Sequence, residues 1–230
     1  MPKLGIITPN YKRPEILKLW CASIKRIRDD IGVEIPAVVV SEEVDKETCQ
    51  SYDINHITQQ NLFVSEKFNR GVEFMRDKVD YVMIMGSDDI ASSQTIRRVL
   101  EKCKKEYDLI GVNSIYFYGV DGAHKGKLCL HSGERILGVG KTIHRRVLDE
   151  INWHPWGQEK NWGLDALVTM SIRPHVKTTS ILSDTIIVDC KNVKVNINKA
   201  SLWFGKRPAI DTNIFLNILG EEEREILMSL

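Results

Sequence analysis

The sequence predicts an α/β fold built on a mainly parallel, doubly wound central sheet flanked by helices. Three observations predict it. Short apolar runs without charge, such as residues 37–40 and 81–85, read as strands buried on both faces. Amphipathic stretches of helical period separate them, as at 14–28 and 93–105. The two kinds of segment alternate through the first half of the chain, the pattern of a parallel sheet with crossover helices.

Residues 4–8 form the first strand, and Pro9-Asn10-Tyr11 makes the turn after it. The helix over 14–28 turns Ile16, Leu17, Leu19, Trp20, Ile24 and Ile27 to one side and Lys18, Lys25, Arg26 and Arg28 to the other; Pro14 suits its first turn. A second strand covers 37–40, and a short third lies within 56–64. A helix over 67–77 leads to the fourth strand at 81–85. The helix over 93–105 faces Ile96, Val99, Leu100 and Cys103 inward, and 109–117 reads as one further strand. The second half is less regular. Residues 119–126 are a polar, glycine-rich hairpin turn, and Gly138-Val-Gly140 precedes a helix over 142–151. A loop with Trp153, Trp156 and Trp162 leads into a helix at 164–172. Residues 186–188 and 193–197 are strand-like, with Asp189-Cys-Lys191 as a turn between them, and the tail ends in an amphipathic helix from about Gly220. No break in composition divides the chain, so 1–230 reads as a single domain with an N-terminal half, 1–117, and a C-terminal half, 118–230.

Composition narrows the function classes. With 43% hydrophobic residues the 230-residue chain can build a real core. Its 32 basic and 31 acidic residues give a net charge of +1, which excludes a global electrostatic pull toward nucleic acid or membrane. Five cysteines stand apart, with no CxxC and no His/Cys cluster, as in a cytosolic protein with reduced thiols and no zinc site. No apolar stretch reaches the ~20 residues of a membrane span, and the chain begins on a strand without a signal peptide, so a cytoplasmic location is expected.

The chemistry concentrates where the fourth strand ends, in Gly86-Ser87-Asp88-Asp89. Carboxylates at the C-terminal edge of a parallel sheet stand where such sheets bind ligands. Two adjacent acids repel unless a cation or hydrogen-bond donors balance them. A hard divalent metal carrying a diphosphate would do so. The alternative is a pair that caps the helix beginning near Ser92.

The order of motifs resembles family 2 glycosyltransferases, which have the GT-A (Rossmann-like) fold. Gly5-Ile-Ile-Thr-Pro-Asn-Tyr-Lys-Arg-Pro14 is similar to that family's first strand and turn. Val38-Val-Val-Ser-Glu-Glu43 resembles the second strand with its base-contacting acid, and Glu66-Lys-Phe-Asn-Arg-Gly71 the helix start near the nucleotide. Met83-Ile-Met-Gly-Ser-Asp-Asp-Ile90 resembles the segment with the DxD motif. It departs at Gly86, where the first Asp of the motif stands; Asp88 keeps the second position. The likeness covers roughly residues 3–175.

The resemblance implies a metal-dependent, inverting transfer of a sugar from a nucleoside-diphosphate donor, most simply a UDP-sugar, with Mn²⁺ or Mg²⁺ as cofactor. Pro9 and Tyr11 would wall the base. Glu42 or Glu43 would accept from base or ribose, and Lys67, Asn69 and Ser87 complete the nucleotide contacts. Asp88, Asp89 and a late histidine, His175, would hold the metal. Asp165 would be the general base, with Glu159 as competitor. Gly138, Gly140, Trp156, Trp162 and Lys191 would serve acceptor or diphosphate. The N-terminal half then binds the nucleotide sugar and the C-terminal half the acceptor. Compact length and the Gly-Ser-Asp-Asp segment resemble bacteriophage-encoded members, which implies a hydroxymethylated DNA base as acceptor beside a glycan. The basic side of the first helix, with Lys12 and Arg13, and His144-Arg145-Arg146 offer phosphate contacts. Two rivals remain: a sugar-phosphate nucleotidyltransferase, disfavoured because Thr8 to Pro14 lacks glycine, and an inactive GT-A domain that binds a glycan or a protein.

Overall fold

The computed structural model describes residues 2–192 and 201–230. In chain order the strands are β1 (Leu4–Pro9), β2 (Ala37–Ser41), β3 (Asn55–Thr58), β4 (Tyr81–Ile84), β5 (Asp89–Ala91), β6 (Leu109–Val112), β7 (Ser114–Gly119), β8 (Leu128–Ser132), β9 (Lys141–His144), β10 (Thr179–Leu182) and β11 (Ile187–Lys191). The helices are α1 (Pro14–Ile31), α2 (Lys46–Ser51), α3 (Val64–Met75), α4 (Ser93–Cys103), α5 (Arg145–Glu150), α6 (Leu164–Ile172), α7 (Ser201–Phe204), α8 (Asn213–Leu216) and α9 (Glu221–Ser229).

Seven strands form the main sheet in the order β10-β6-β9-β4-β1-β2-β3. Only β9 runs against its neighbours, β4 and β6. A second sheet, β5-β11-β7-β8, stands beyond the C-terminal end of β4. The central strands β1, β2 and β4 are buried along their whole length, as their charge-free runs require. Helix α3 crosses β1 closely because Gly71 has no side chain: a Cβ there would lie 3.3 Å from Ile7 Cβ. That approach brings Lys67, one turn earlier, against the backbone that leaves β1.

Three readings of the sequence are corrected. Residues 109–117 are two strands, because the chain changes sheets at Asn113: β6 joins the main sheet and β7 the second. Residues 141–144 are strand β9 and not helix. Thr142 and Ile143 are β-branched, and β4 and β6 offer ladders on both sides. The helix shrinks to Arg145–Glu150, with the His144 ring nitrogen Nδ1 accepting the Arg146 N–H at 3.0 Å. Asp189-Cys-Lys191 is not a turn but the second half of β11. The short strands β5 and β10 and helix α2 were not expected. The strand-like run 193–197 lies outside the described residues.

The C-terminal helix is fastened by one buried ion pair. Arg26 Nε donates to Glu223 Oε2 at 2.6 Å, and its other nitrogens donate to Ser93 Oγ and Ala91 O. Glu223 is 1% exposed and also accepts the Gly220 N–H at 2.7 Å. Arg26→Ala leaves that carboxylate buried without its cation, so it should cost about 3–5 kcal/mol in urea unfolding. Arg26→Leu with Glu223→Leu, which removes both charges, should recover most of the loss.

Candidate active site

Strands β1, β2 and β4 all end at the same edge of the main sheet, and the loops that leave them carry the site. Past β1 come Asn10, Tyr11 and Arg13. Past β2 come Glu42 and Asp45, and past β4 come Gly86 to Asp89. Asp89 opens β5 and pairs in antiparallel register with Asp189 of β11. The backbone N–H of Cys190 donates to Asp88 O at 2.8 Å, so the second sheet is pinned to the loop.

Three carboxylates therefore meet. One oxygen from each of Asp88, Asp89 and Asp189 lies within 4.8 Å of the others, and all three residues are buried. Two cations face them. Arg13 Nη1 donates to Asp88 Oδ2 at 2.6 Å and Nη2 to Ser87 Oγ at 3.0 Å. Lys191 Nζ lies 2.5 Å from Asp189 Oδ2 and 3.9 Å from Asp88 Oδ2. Burial opposes every charge here. Against it, the Arg13 guanidinium and Lys191 hold the Asp88 carboxyl below its ordinary value. Burial, Asp189 and Asp88 push Asp89 well up. Burial and Asp88 push Asp189 up to about 7. Burial lowers Lys191, but Asp189 and Asp88 outweigh it and raise the ammonium above its usual range.

Gly86 now has a physical reason. A Cβ there would lie 2.6 Å from Asp88 Oδ1 and 2.9 Å from Asp89 Oδ2, and its N–H donates to Asp89 Oδ2. The two following acids fold back over the position where the resembling family has its first Asp, so the carboxylate supply moves to Asp88, Asp89 and Asp189. This all-oxygen set fits a hard divalent ion such as Mg²⁺ or Mn²⁺. Asp189 Oδ1 is buried with no hydrogen-bond partner, as a donor waiting for a cation would be.

Beside the acids lies a cavity of about 350 Å³, lined by Pro9, Tyr11, Lys67, Asp88, Asp189 and Lys191 among others. Lys67 Nζ donates to Asn10 O and Asn61 Oδ1, each at 2.8 Å, and burial lowers its pKa. Its ammonium also lies 5.4 Å from the Tyr11 ring centre. Asn10 ties three loops together: its Nδ2 donates to Asp45 Oδ2 at 2.8 Å, and its Oδ1 accepts from Ser87 Oγ at 2.8 Å. Sequence reasoning missed Asn10, Asp45, Asn61 and the central part of Arg13. The Arg13 signal was present, one residue before Pro14, but read as part of a basic helix face.

Several expected residues take other places. Asn69 holds the Trp156 backbone by both its amide atoms, at 2.8 and 3.1 Å, and does not line the cavity. Trp156 is buried and stacked on Phe68 at 4.7 Å, so it is core and not a sugar platform. Ser87 is fully buried behind Arg13. Glu42 is half-buried outside the lining, and its charge acts on Lys67. Glu43 pairs with Lys46 and Thr58. His175 stands at the opposite, N-terminal edge of the sheet, 3.8 Å from Glu150 and in a cleft with Asp108, so it cannot share an ion with Asp88.

Asp165 stands in the first turn of α6 on the same edge as the acids, exposed and pressed against Gly138, whose added Cβ would lie 1.6 Å from Asp165 Oδ1. Gly140 adopts φ +69° and donates to Ile84 O at 2.8 Å, which joins this turn to the end of β4. Trp162 is 69% exposed beside Asn161, which does line the cavity. Glu159 faces a separate groove with Leu62 and Arg70.

No family model and no curated protein matches the sequence. Solved structures do. A fragment of S. aureus TarS comprising residues 1–349 superposes with a TM-score of 0.64 at 15% identity, over 82% of this chain and 60% of that one. Another TarS structure gives the same score at 16% identity, with 37% of its chain covered. The chain thus spans well under two thirds of the TarS proteins it matches. A 4-diphosphocytidyl-2C-methyl-D-erythritol synthase from Anaerococcus prevotii matches at a TM-score of 0.51 and 9% identity, over 79% of this chain and 89% of that one. These neighbours are GT-A glycosyltransferases and nucleotidyltransferases, and the fold of this chain is GT-A-like. Among the described residues no helix is long and apolar enough to cross a membrane.

The raised carboxyls have a sign that can be tested. In EDTA, native Asp189 keeps its proton up to about 7, whereas an ordinary Asp loses it near 3.8. Its contribution to stability is full below the ordinary value and is lost as pH rises through about 7. Urea midpoints for the metal-free protein should therefore fall between about pH 4 and about pH 7 and level off above that. Asp189→Asn should flatten that fall; an equally steep dependence in the variant would show that the pH effect arises elsewhere.

Proposed function

We propose that this protein is a glycosyltransferase that moves a sugar from a nucleoside-diphosphate donor, a UDP-sugar first, to an acceptor hydroxyl with inversion. The observation that carries the reading is the convergence of Asp88, Asp89 and Asp189 with Arg13 and Lys191 beside the cavity lined by Pro9, Tyr11 and Lys67. A nucleotide needs a wall for its base and a charged end for its phosphates. Pro9 and Tyr11 supply the wall, and Lys67 stands beside it as a point charge.

The three acids would hold Mn²⁺ or Mg²⁺, which supplies Lewis-acid charge to the diphosphate when bound. Arg13 and Lys191 supply fixed positive charge where negative charge grows as the diphosphate leaves. Asp165 takes the proton from the acceptor hydroxyl, and the oxygen then attacks the sugar carbon from the side opposite the leaving group. Gly138 lets that carboxylate lie flat against the turn. Trp162, exposed near the cavity mouth, offers a face on which an acceptor sugar stacks.

A glycan acceptor is favoured over a modified base of DNA. Several of the basic groups that would meet phosphates are engaged or remote. Arg26 is paired with Glu223, Arg28 bonds three backbone carbonyls, and Arg146 is paired with Asp108 at the opposite edge of the sheet.

A second reading, a nucleotidyltransferase, draws on the likeness to the diphosphocytidyl synthase, which extends over most of that chain. The products separate them. A glycosyltransferase releases nucleoside diphosphate from a panel of nucleotide sugars, whereas a nucleotidyltransferase releases pyrophosphate from nucleoside triphosphate and a sugar phosphate. Release of neither product, with donor still bound, supports a binding domain.

Asp165→Asn keeps size and most hydrogen bonding but cannot take a proton at neutral pH. Turnover should fall about a hundredfold or more while donor affinity stays within about twofold. Normal turnover would exclude Asp165 as the base.

A further inference from the structure

The acid that the resemblance assigns to the base, Glu42, lies outside the cavity lining, so the base of a bound nucleotide meets other groups. Two asparagines of the lining, Asn61 and Asn161, are oriented to read it. The ammonium of Lys67 is 1% exposed and only donates, so the Asn61 atom that it meets at 2.8 Å is the carbonyl oxygen Oδ1. The same ammonium donates to Asn10 O at 2.8 Å, which fixes it to the backbone that leaves β1. Asn161 is set in a similar way, since its Oδ1 accepts the backbone N–H of Val64 at 2.8 Å. Its loop is clasped to the start of α3 by two further bonds: Ser65 N–H donates to Lys160 O at 3.1 Å, and Lys160 N–H to Ser65 Oγ at 2.8 Å. In both side chains the oxygen is engaged, and the Nδ2 amide, with two N–H donors, has no protein partner among the described residues. Tyr11, Val64, Phe68 and Leu164 line the same cavity with apolar surface, against which a flat ring packs.

We propose that the amide N–H groups of Asn61 and Asn161 read the base of the donor and select uracil over cytosine. This rests on the reading of the cavity as the nucleotide site. Two donors suit the two carbonyl oxygens of uracil, O2 and O4. Cytosine has the same outline but keeps only one of those oxygens and carries an amino donor in place of the other. A donor that faces a donor leaves both unpaired, which is the stronger way to reject a ligand of equal size. The selection holds only if the amides cannot turn round. Lys67 prevents this at Asn61, because a flipped amide would set its NH₂ against the ammonium. The Val64 N–H does the same at Asn161. The charged groups of the lining, Arg13, Asp88, Asp189 and Lys191, serve any nucleoside diphosphate alike and cannot make this choice.

The test is calorimetric titration of UDP and of CDP, each with Mn²⁺, into the parent, Asn61→Asp and Asn161→Asp. The two ligands share ribose and diphosphate, so the ratio of their affinities reports the base alone. The parent should bind UDP about tenfold or more tightly than CDP, the scale of one donor left facing another. Each aspartate keeps an oxygen for Lys67 or for the Val64 N–H and puts an acceptor where the second donor stood. The variant whose side chain meets O4 should lose the preference, with a ratio of about one or a reversal toward CDP. The other should weaken both ligands alike. The parent ratio needs no substitution, so it carries the test if a variant does not fold. A parent ratio near unity, or a ratio kept in both folded variants, would overturn the inference and leave the nucleotide site standing. Binding of neither UDP nor CDP to the parent would overturn the nucleotide reading itself, and this inference with it.

Discussion

Three buried carboxylates within one coordination radius are the constraint on which the rest of this site depends. Like charges out of water repel strongly, and they persist only if the fold imposes them and something compensates. Both conditions are visible. The β5–β11 ladder places Asp89 opposite Asp189, and the Cys190 amide holds the backbone of Asp88. Arg13 and Lys191 supply two positive charges against three potential negative ones. The protein alone leaves the balance one charge short, and burial together with the neighbouring carboxylates pushes Asp89 and Asp189 up. A divalent cation would supply the missing positive charge.

The direction of the sheet explains why the remaining groups fall where they do. Chain leaving β1, β2 and β4 emerges at one edge, so Tyr11, Asp45 and Asp88 are neighbours although far apart in sequence. Antiparallel β9 enters at that same edge and carries Gly138, Gly140 and Lys141 to it. The other edge holds a separate set of contacts. Asp108 accepts from the Lys177 and Thr178 amides and from Arg146, which locks β10 beside β6. His175 belongs to that set, so its lateness in the chain was a poor guide to its place.

How much of this was legible in the sequence follows from the range of each interaction. The central strands were legible because burial on both faces leaves charge-free runs, and α1, α4 and α9 because their apolar faces repeat at helical spacing. The place of Asp88 and Asp89 at the end of β4 was legible because adjacent acids after a buried strand are local. Strand β9 was misread because Lys141 and Thr142 look polar until the ladders of β4 and β6 are known. Asp189 looked like a turn residue for a similar reason: its strand is defined by partners about 70 to 100 residues away. Asn69 and Trp156 were read as ligand contacts, yet each satisfies the other across 87 residues. Gly86 looked like a defect and is instead the space into which two carboxylates fold.

The most direct measurement is calorimetric titration of UDP into the protein, with Mn²⁺ and again with EDTA, for the parent and for Asp189→Asn. The account predicts that Mn²⁺ tightens UDP binding at least tenfold, about 1.4 kcal/mol, and that Asp189→Asn removes most of that gain. Equal affinity in EDTA, or a full Mn²⁺ effect in the variant, would contradict the claim that these three carboxylates form a metal and diphosphate site.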